Sequence, residues 1–376
     1  MKKRILAAVL ALCASLGFTY MVNADEAPVP ASSRILKANN ETRDFLKAKM
    51  AELKIPAMQI AVILNGQVVM SEAYGIANIE QQISADRETL FPINSATKSF
   101  TGVAIMQLVE AGLVDLEAPV GRYLEDLPES WSEIRIRQLL AHSSGLPNIV
   151  DQNGLIGAGG ETEAWAAVQT LPMESSPGTA FSYNQTNYVL LARIINKLSG
   201  RPFPLFFAER QFKLARMPRA RFGDGYDIVP GRANVYIRGQ AEHNGTANDP
   251  AKLYHWIDNI PGTTRAGAGI YTTANELAQW ILALENGRLL TKKSSVERLW
   301  TADKFNDGKS NIWAMGWPIL AGTSRRAVGG IGGGRSAFFV YPEDHVAVIV
   351  MTNMVGANPQ NMIDTIAGNY IASNNR

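Results

Sequence analysis

Strand-forming sequence in this 376-residue chain is concentrated towards its two ends, with a long strand-poor stretch between them. On the N-terminal side, Ala57–Leu64 and residues 67–74 are runs of β-branched and apolar residues, and Asn65-Gly66 between them is a two-residue hairpin signal. On the C-terminal side, 313–320, Ser336–Tyr341 and 346–351 read as strands, with Pro342-Glu343-Asp344 as the turn between the last two. From about 113 to 260 helical runs and loops take over, at 134–141, 161–171, 186–198 and 203–212. An antiparallel sheet must then be assembled from both flanks of the chain. The expected class is α+β, with the sheet region at 34–94 and 262–376 and a mostly helical region inserted at 95–261. Amphipathic helices at 34–53, 274–284 and 361–371 are available to cover the sheet.

The first residues carry a targeting pattern. Lys2-Lys3-Arg4 precedes an almost wholly apolar stretch, 5–18, and Val22-Asn23-Ala24 offers a small-residue cleavage site. Residues 1–24 are therefore expected to be a signal peptide and 25–33 a flexible leader, giving a periplasmic or secreted bacterial protein. The apolar stretch is short for a membrane span and no basic stop-transfer cluster follows it, so no stable membrane anchor is expected after cleavage. Cleavage would remove three basic residues and leave 33 basic against 34 acidic ones, a charge of about −1. Neither that balance nor any basic run suggests a nucleic-acid partner. Cleavage would also remove Cys13, the only cysteine, and with it any disulfide or thiol chemistry. An apolar fraction of 46% with 19% charged residues excludes disorder and fibrous repeats.

The chemistry is expected at Ser95-Ala-Thr-Lys98, where an extended segment closed by Pro92 passes into a helix. Phe100, Ala104, Leu108 and Ala111 recur at helical spacing, and Gly112 is a helix stop. A serine and a lysine three residues apart share one helix face, so the amine can reach the hydroxyl. The helix N-terminus adds backbone N–H groups that favour developing negative charge. Roughly one Ser-x-x-Lys is expected by chance in a chain this long, so the pair alone decides nothing. The four histidines (His142, His243, His255 and His345) are scattered without metal-ligand spacing, and no Gly-x-Ser-x-Gly elbow is present. No metal or cofactor is expected. The glycine run 329–334 lacks the Gly-Lys-Ser/Thr ending of a phosphate loop and reads as a flexible strand edge. The aromatic residues of 223–259 (Tyr226, Tyr236, Tyr254, Trp256) line a cleft or pack a core, without a signal to choose between them.

Several segments in one order resemble the serine β-lactamase superfamily, on its branch of class C β-lactamases, D-Ala-D-Ala carboxypeptidases and esterases. They are 89–101 around Ser95 and Lys98, Gly112-Leu-Val-Asp-Leu-Glu-Ala-Pro-Val120, Leu139-Leu-Ala-His-Ser-Ser-Gly-Leu-Pro147 and Pro177-Gly-Thr-Ala-Phe-Ser-Tyr183. The resemblance implies a β-lactamase-like fold and a serine hydrolase that forms an acyl-enzyme on a small-molecule or peptide substrate. It implies Ser95 as nucleophile, Lys98 as the base that deprotonates it, and Tyr183 as the second acid/base. Asn184 and Gln185 stand where the family has a substrate-contacting asparagine. Gly329 and Gly330 stand on the strand edge, with the Gly330 N–H as second oxyanion donor beside that of Ser95.

Two departures bear on the substrate. The second motif reads Tyr183-Asn184-Gln185 where the family has Tyr-x-Asn, and Gln185 reaches one methylene further. Counting back from Pro342-Glu343-Asp344 places Ala327-Val328-Gly329 where the family carries a lysine or histidine. Arg325, Arg326 and Arg335 are the nearby cations, and strand alternation sets Arg325 on the face of Ala327. The missing cation weakens recognition of a substrate carboxylate and favours an ester or a different amide. The alternative is a catalytically weak member of the fold that only binds its ligand.

Overall fold

The computed structural model describes residues 33–371 apart from 158, 240–248, 250, 321 and 323–324. The proposed signal peptide and Cys13 lie outside the described residues. Asn65 and Gly66 both adopt left-handed backbone (φ 49° and 76°), the geometry that a tight hairpin turn requires. That turn joins Ala57–Leu64 to Gln67–Asn78, so the second strand runs four residues beyond the expected Tyr74. A six-stranded antiparallel sheet follows the order Val328–Gly332, Ser336–Tyr341, Val346–Thr352, Ala57–Leu64, Gln67–Asn78, Ile83–Ser84. The first strand pairs with the last, from Met58 opposite Thr352 to Leu64 opposite Val346. This is the two-ended sheet that the strand distribution demands.

Residues along the first strand alternate between two apolar layers. Ala57, Ala61 and Ile63 join the larger core, whereas Met58, Ile60 and Val62 join the smaller one beneath Ser33–Leu53 and Gln360–Tyr370. The larger core holds the helix Thr97–Glu110 and the helix Ala274–Glu285. Twelve of the 14 residues of Thr97–Glu110 are buried, which makes it a central helix rather than an amphipathic surface one. Phe100 stacks on Trp280 with ring centroids 3.8 Å apart, and Trp280 continues the stack onto Trp317 at 5.6 Å.

One expected strand is corrected. Residues 313–320 form only isolated bridges, Trp313 to Pro318 and Ile319 to Val328, because Gly316 turns the chain (φ 86°) and Pro318 has no N–H to donate. The edge strand is Val328–Gly332 instead. Gly102 explains how the turn at 315–316 approaches the central helix. A Cβ there would lie 2.1 Å from the Met315 carbonyl oxygen. In the inserted region the helices after Thr97–Glu110 include Glu129–Ser132, Ile136–Leu140, Glu161–Val168, Thr186–Ser199 and Phe203–Phe207. No helix of the described residues is long and apolar enough to cross a membrane.

Candidate active site

Ser95 sits in a 3-10 turn, Asn94–Ala96, that runs directly into the central helix. Asn94, immediately before it, holds a left-handed backbone (φ 43°), a conformation asparagine tolerates better than most residues. Lys98 follows one turn later and is fully buried, 0% exposed. Its ammonium donates to the Gly267 carbonyl at 2.9 Å and to Gln185 Oε1 at 3.0 Å. Gly267 leaves the room for this: a Cβ there would lie 3.2 Å from Lys98 Nζ and 2.9 Å from Gln185 Oε1. Both acceptors are neutral. Burial therefore acts without a compensating carboxylate and lowers the amine to about 7. A buried lysine serving only the fold is ordinarily ion-paired.

Tyr183 meets this pair from the inserted region. Its ring centroid lies 4.7 Å from Lys98 Nζ, and the Ser95 and Gln185 side chains act on its phenol. The residue is 39% exposed, yet the surrounding protein desolvates the phenol and pushes it up to about 12, against the Ser95 and Gln185 side chains, which lower it. Tyr183 thus stays protonated while Lys98 is half-neutral at pH 7. His142 packs behind it with ring centroids 4.5 Å apart, and its Nδ1 accepts the Asn184 N–H at 3.1 Å. Burial, then the nearby Lys98 charge, lowers His142 well below its usual range, so it is a neutral support.

The expected binding residues separate here. Gln185 lines the cleft and holds Lys98. Asn184 turns inward, 1% exposed, and donates to the Leu146 carbonyl at 2.6 Å. Gly329 is also not at the cleft: its N–H donates to the Pro318 carbonyl, and its carbonyl accepts Ser99 Oγ at 3.2 Å. Gly330 packs on Ala96 and Phe338, with a Cβ there 3.0 Å from Ala96 Cβ. The ungapped count from Pro342 stops short of the nucleophile. It is Gly332 that approaches the serine turn, where a Cβ would lie 1.8 Å from the Ile93 carbonyl oxygen and 3.1 Å from Ser95 N. Gly333 then lines the cleft beside Asn94 and Ser95.

The cleft encloses about 480 Å³. Val150, Leu155, Ile260 and Pro261 supply apolar walls, and Asn153, Gln185 and Asn259 supply amides. None of its described lining residues is charged. Of the arginines near the expected third motif, Arg325 pairs with Asp344 and Arg326 with Glu343. Arg335 is 1% exposed and pairs with Asp258. A larger hollow of about 750 Å³, between 284–300 and 342–345, shares no residue with the cleft. Of the aromatic residues in 223–259, Tyr236 is buried and Trp256 is half-exposed in a separate small hollow. From that segment only Asn259 lines the cleft, followed by Ile260 and Pro261, on which the sequence carried no chemical signal.

Residues 42–372 match the family described as Beta-lactamase. The chain belongs to that family. PbpX of Bacillus subtilis (strain 168), named as a candidate penicillin-binding protein, is 28% identical over 264 residues, covering 70% of this chain and 62% of its own length. The chain thus matches less than two thirds of this relative. The penicillin-binding protein homologue of Pyrococcus abyssi, an octamer, superposes with a TM-score of 0.68 at 27% identity, covering 85% of this chain and 74% of its own. The D-amino acid amidase of Ochrobactrum anthropi SV3 gives 0.72 at 21%, over 88% and 97%, a likeness of fold.

Proposed function

We propose that this chain is an exported serine hydrolase that forms an acyl-enzyme on Ser95 and acts on an uncharged ester or amide. The observation that carries the reading is Lys98. It is a fully buried amine with neutral acceptors only, one helical turn after a serine at the floor of a cleft. Neutral Lys98 takes the Ser95 proton as Oγ attacks the substrate carbonyl carbon. The oxyanion is held by the N–H groups of Ser95 and Gly333, the latter in place of Gly330. Tyr183 gives its proton to the departing alcohol or amine and recovers one through Lys98. Water then attacks the acyl carbonyl, losing its proton to the same pair, and Ser95 leaves with a proton.

The charge-free lining supports a substrate without a carboxylate beside the scissile bond, because a desolvated anion there would find no cation. The export part rests on the basic, apolar and small-residue order of 2–24. A panel of p-nitrophenyl esters, a cephalosporin and a D-amino acid amide, run on wild type and Ser95→Ala, tests the reading. Turnover of the neutral esters that vanishes in Ser95→Ala is expected. Ligand binding without turnover of any panel member would replace the hydrolase with a binding protein.

A further inference from the structure

We infer that the buried Arg335–Asp258 ion pair is a positioning device for the nucleophile, tying the serine turn to the cleft wall. The inference rests on Ser95 being the nucleophile. Arg335 precedes the strand Ser336–Tyr341 and closes the glycine turn, its N–H donating to the Gly332 carbonyl at 3.1 Å. Its Nη2 donates to Asn94 Oδ1 at 2.9 Å and contacts the Asp258 carboxylate. One guanidinium therefore touches the residue before the nucleophile and the residue before the wall segment 259–261.

The contact with Asn94 matters because of its backbone. A left-handed non-glycine residue persists where the surroundings over-determine it, and here its side-chain oxygen has a fixed cationic donor. The direction of the Ser95 N–H depends on that torsion. The third element is also in contact. A Cβ at Gly333 would lie 3.0 Å from Asn94 Oδ1 and 3.3 Å from Arg335 Cζ, so the glycine turn packs against both groups. Asp258 is tied in turn: its Oδ1 accepts Trp256 Nε1 at 2.9 Å and its carbonyl accepts the Gly225 N–H at 2.8 Å. Arg335 is not the absent substrate cation, since it is 1% exposed and already neutralised. Both acceptors are reached by Nη2, held at the end of a rigid planar guanidinium, whereas a lysine would bring its ammonium there on a flexible stem.

The test uses full-length Arg335→Met, Arg335→Lys and Asp258→Asn with p-nitrophenyl acetate, a substrate too small to need the wall. A displaced nucleophile is expected to lower kcat roughly 10- to 100-fold in Arg335→Met, with KM within about threefold. Arg335→Lys is expected to recover part of kcat, and Asp258→Asn to lose less than Arg335→Met. Amide hydrogen exchange in the peptide 91–98 is expected to quicken in the same order at matched folded fraction. Should Arg335→Met not fold, Arg335→Lys and Asp258→Asn carry the comparison. Unchanged kcat and unchanged 91–98 exchange in a folded variant would overturn the inference. Wild type without ester turnover would instead remove the hydrolase reading, and the exchange of 91–98 would still decide whether the pair holds the serine turn.

Discussion

The two walls of the cleft are built on different principles. The wall at Ser95, with Lys98 and Tyr183 gathered beside it, concentrates titratable groups, and desolvation shifts the amine to about 7 and the phenol to about 12. The other wall, from Val150, Leu155, Ile260 and Pro261 to Gly333, holds no charge among its described residues; behind it Arg265 donates to the Ile260 carbonyl and pairs with Asp224 and Asp227, and Arg335 pairs with Asp258. The difference separates two tasks. Under the proposed function, one wall serves the attack on a carbonyl and the other selects the substrates that reach it. Substitutions should accordingly change rate on one side and preference on the other.

Ser95→Ala is the largest break on the catalytic side. It is expected to lower kcat for a neutral ester by about 10⁴-fold or more and to abolish fluorophosphonate labelling. Tyr183→Phe keeps the ring against His142 and removes only the hydroxyl, so a loss of about 10²- to 10⁴-fold in kcat is expected, read by steady-state kinetics.

Lys98 sharpens the comparison because its cost to the fold is measurable. The folded amine sits near 7 and the ordinary value is 10.5, so between these limits the unfolded chain holds a proton that the folded chain lacks. Stability must then rise with pH across that window, by about 1.4 kcal/mol per pH unit from this group. Lys98→Met removes the dependence. Its stability relative to wild type, from urea unfolding at pH 7, 8 and 9, is expected to fall by about 2 to 3 kcal/mol over those two units. A difference independent of pH would mean that the amine is charged in the fold. The same titration predicts that wild-type kcat/KM falls below pH 7 as Lys98 takes up its proton.

The selecting wall gives smaller effects. A neutral ester is expected to exceed its carboxylate-bearing isostere in kcat/KM by about tenfold or more, since an unpaired anion loses its hydration there. Equal values would place an undetected cation in the cleft. Gln185→Asn shortens the acceptor for Lys98, and a several-fold loss in kcat, about 1 kcal/mol, is expected from one weakened hydrogen bond.

Much of the catalytic wall was legible in the sequence because its signals are local. Asn65-Gly66 announced the hairpin, and Pro92 to Gly112 bounded the serine turn and the helix that carries Lys98. Tyr183 followed from motif order, and the structure brings it to the same pair. The selecting wall was hidden for physical reasons. Its edge strand, Val-Gly-Gly-Ile-Gly, has little intrinsic strand propensity and is held by its ladder with 336–340. The competing run 313–320 looked more strand-like but contains Gly316 and Pro318. Counting back without a gap then stopped at 327–329, whereas the close approach to Ser95 is made by Gly332. Asp258 and Arg335 are 77 residues apart and meet only in the fold.

The most direct test of the account is intact-protein mass spectrometry during turnover of a neutral p-nitrophenyl ester, with peptide mapping of any adduct. One acyl group is expected on wild type, mapped to Ser95, that accumulates in Tyr183→Phe and is absent from Ser95→Ala. An adduct that persists in Ser95→Ala, or that maps elsewhere, would contradict it.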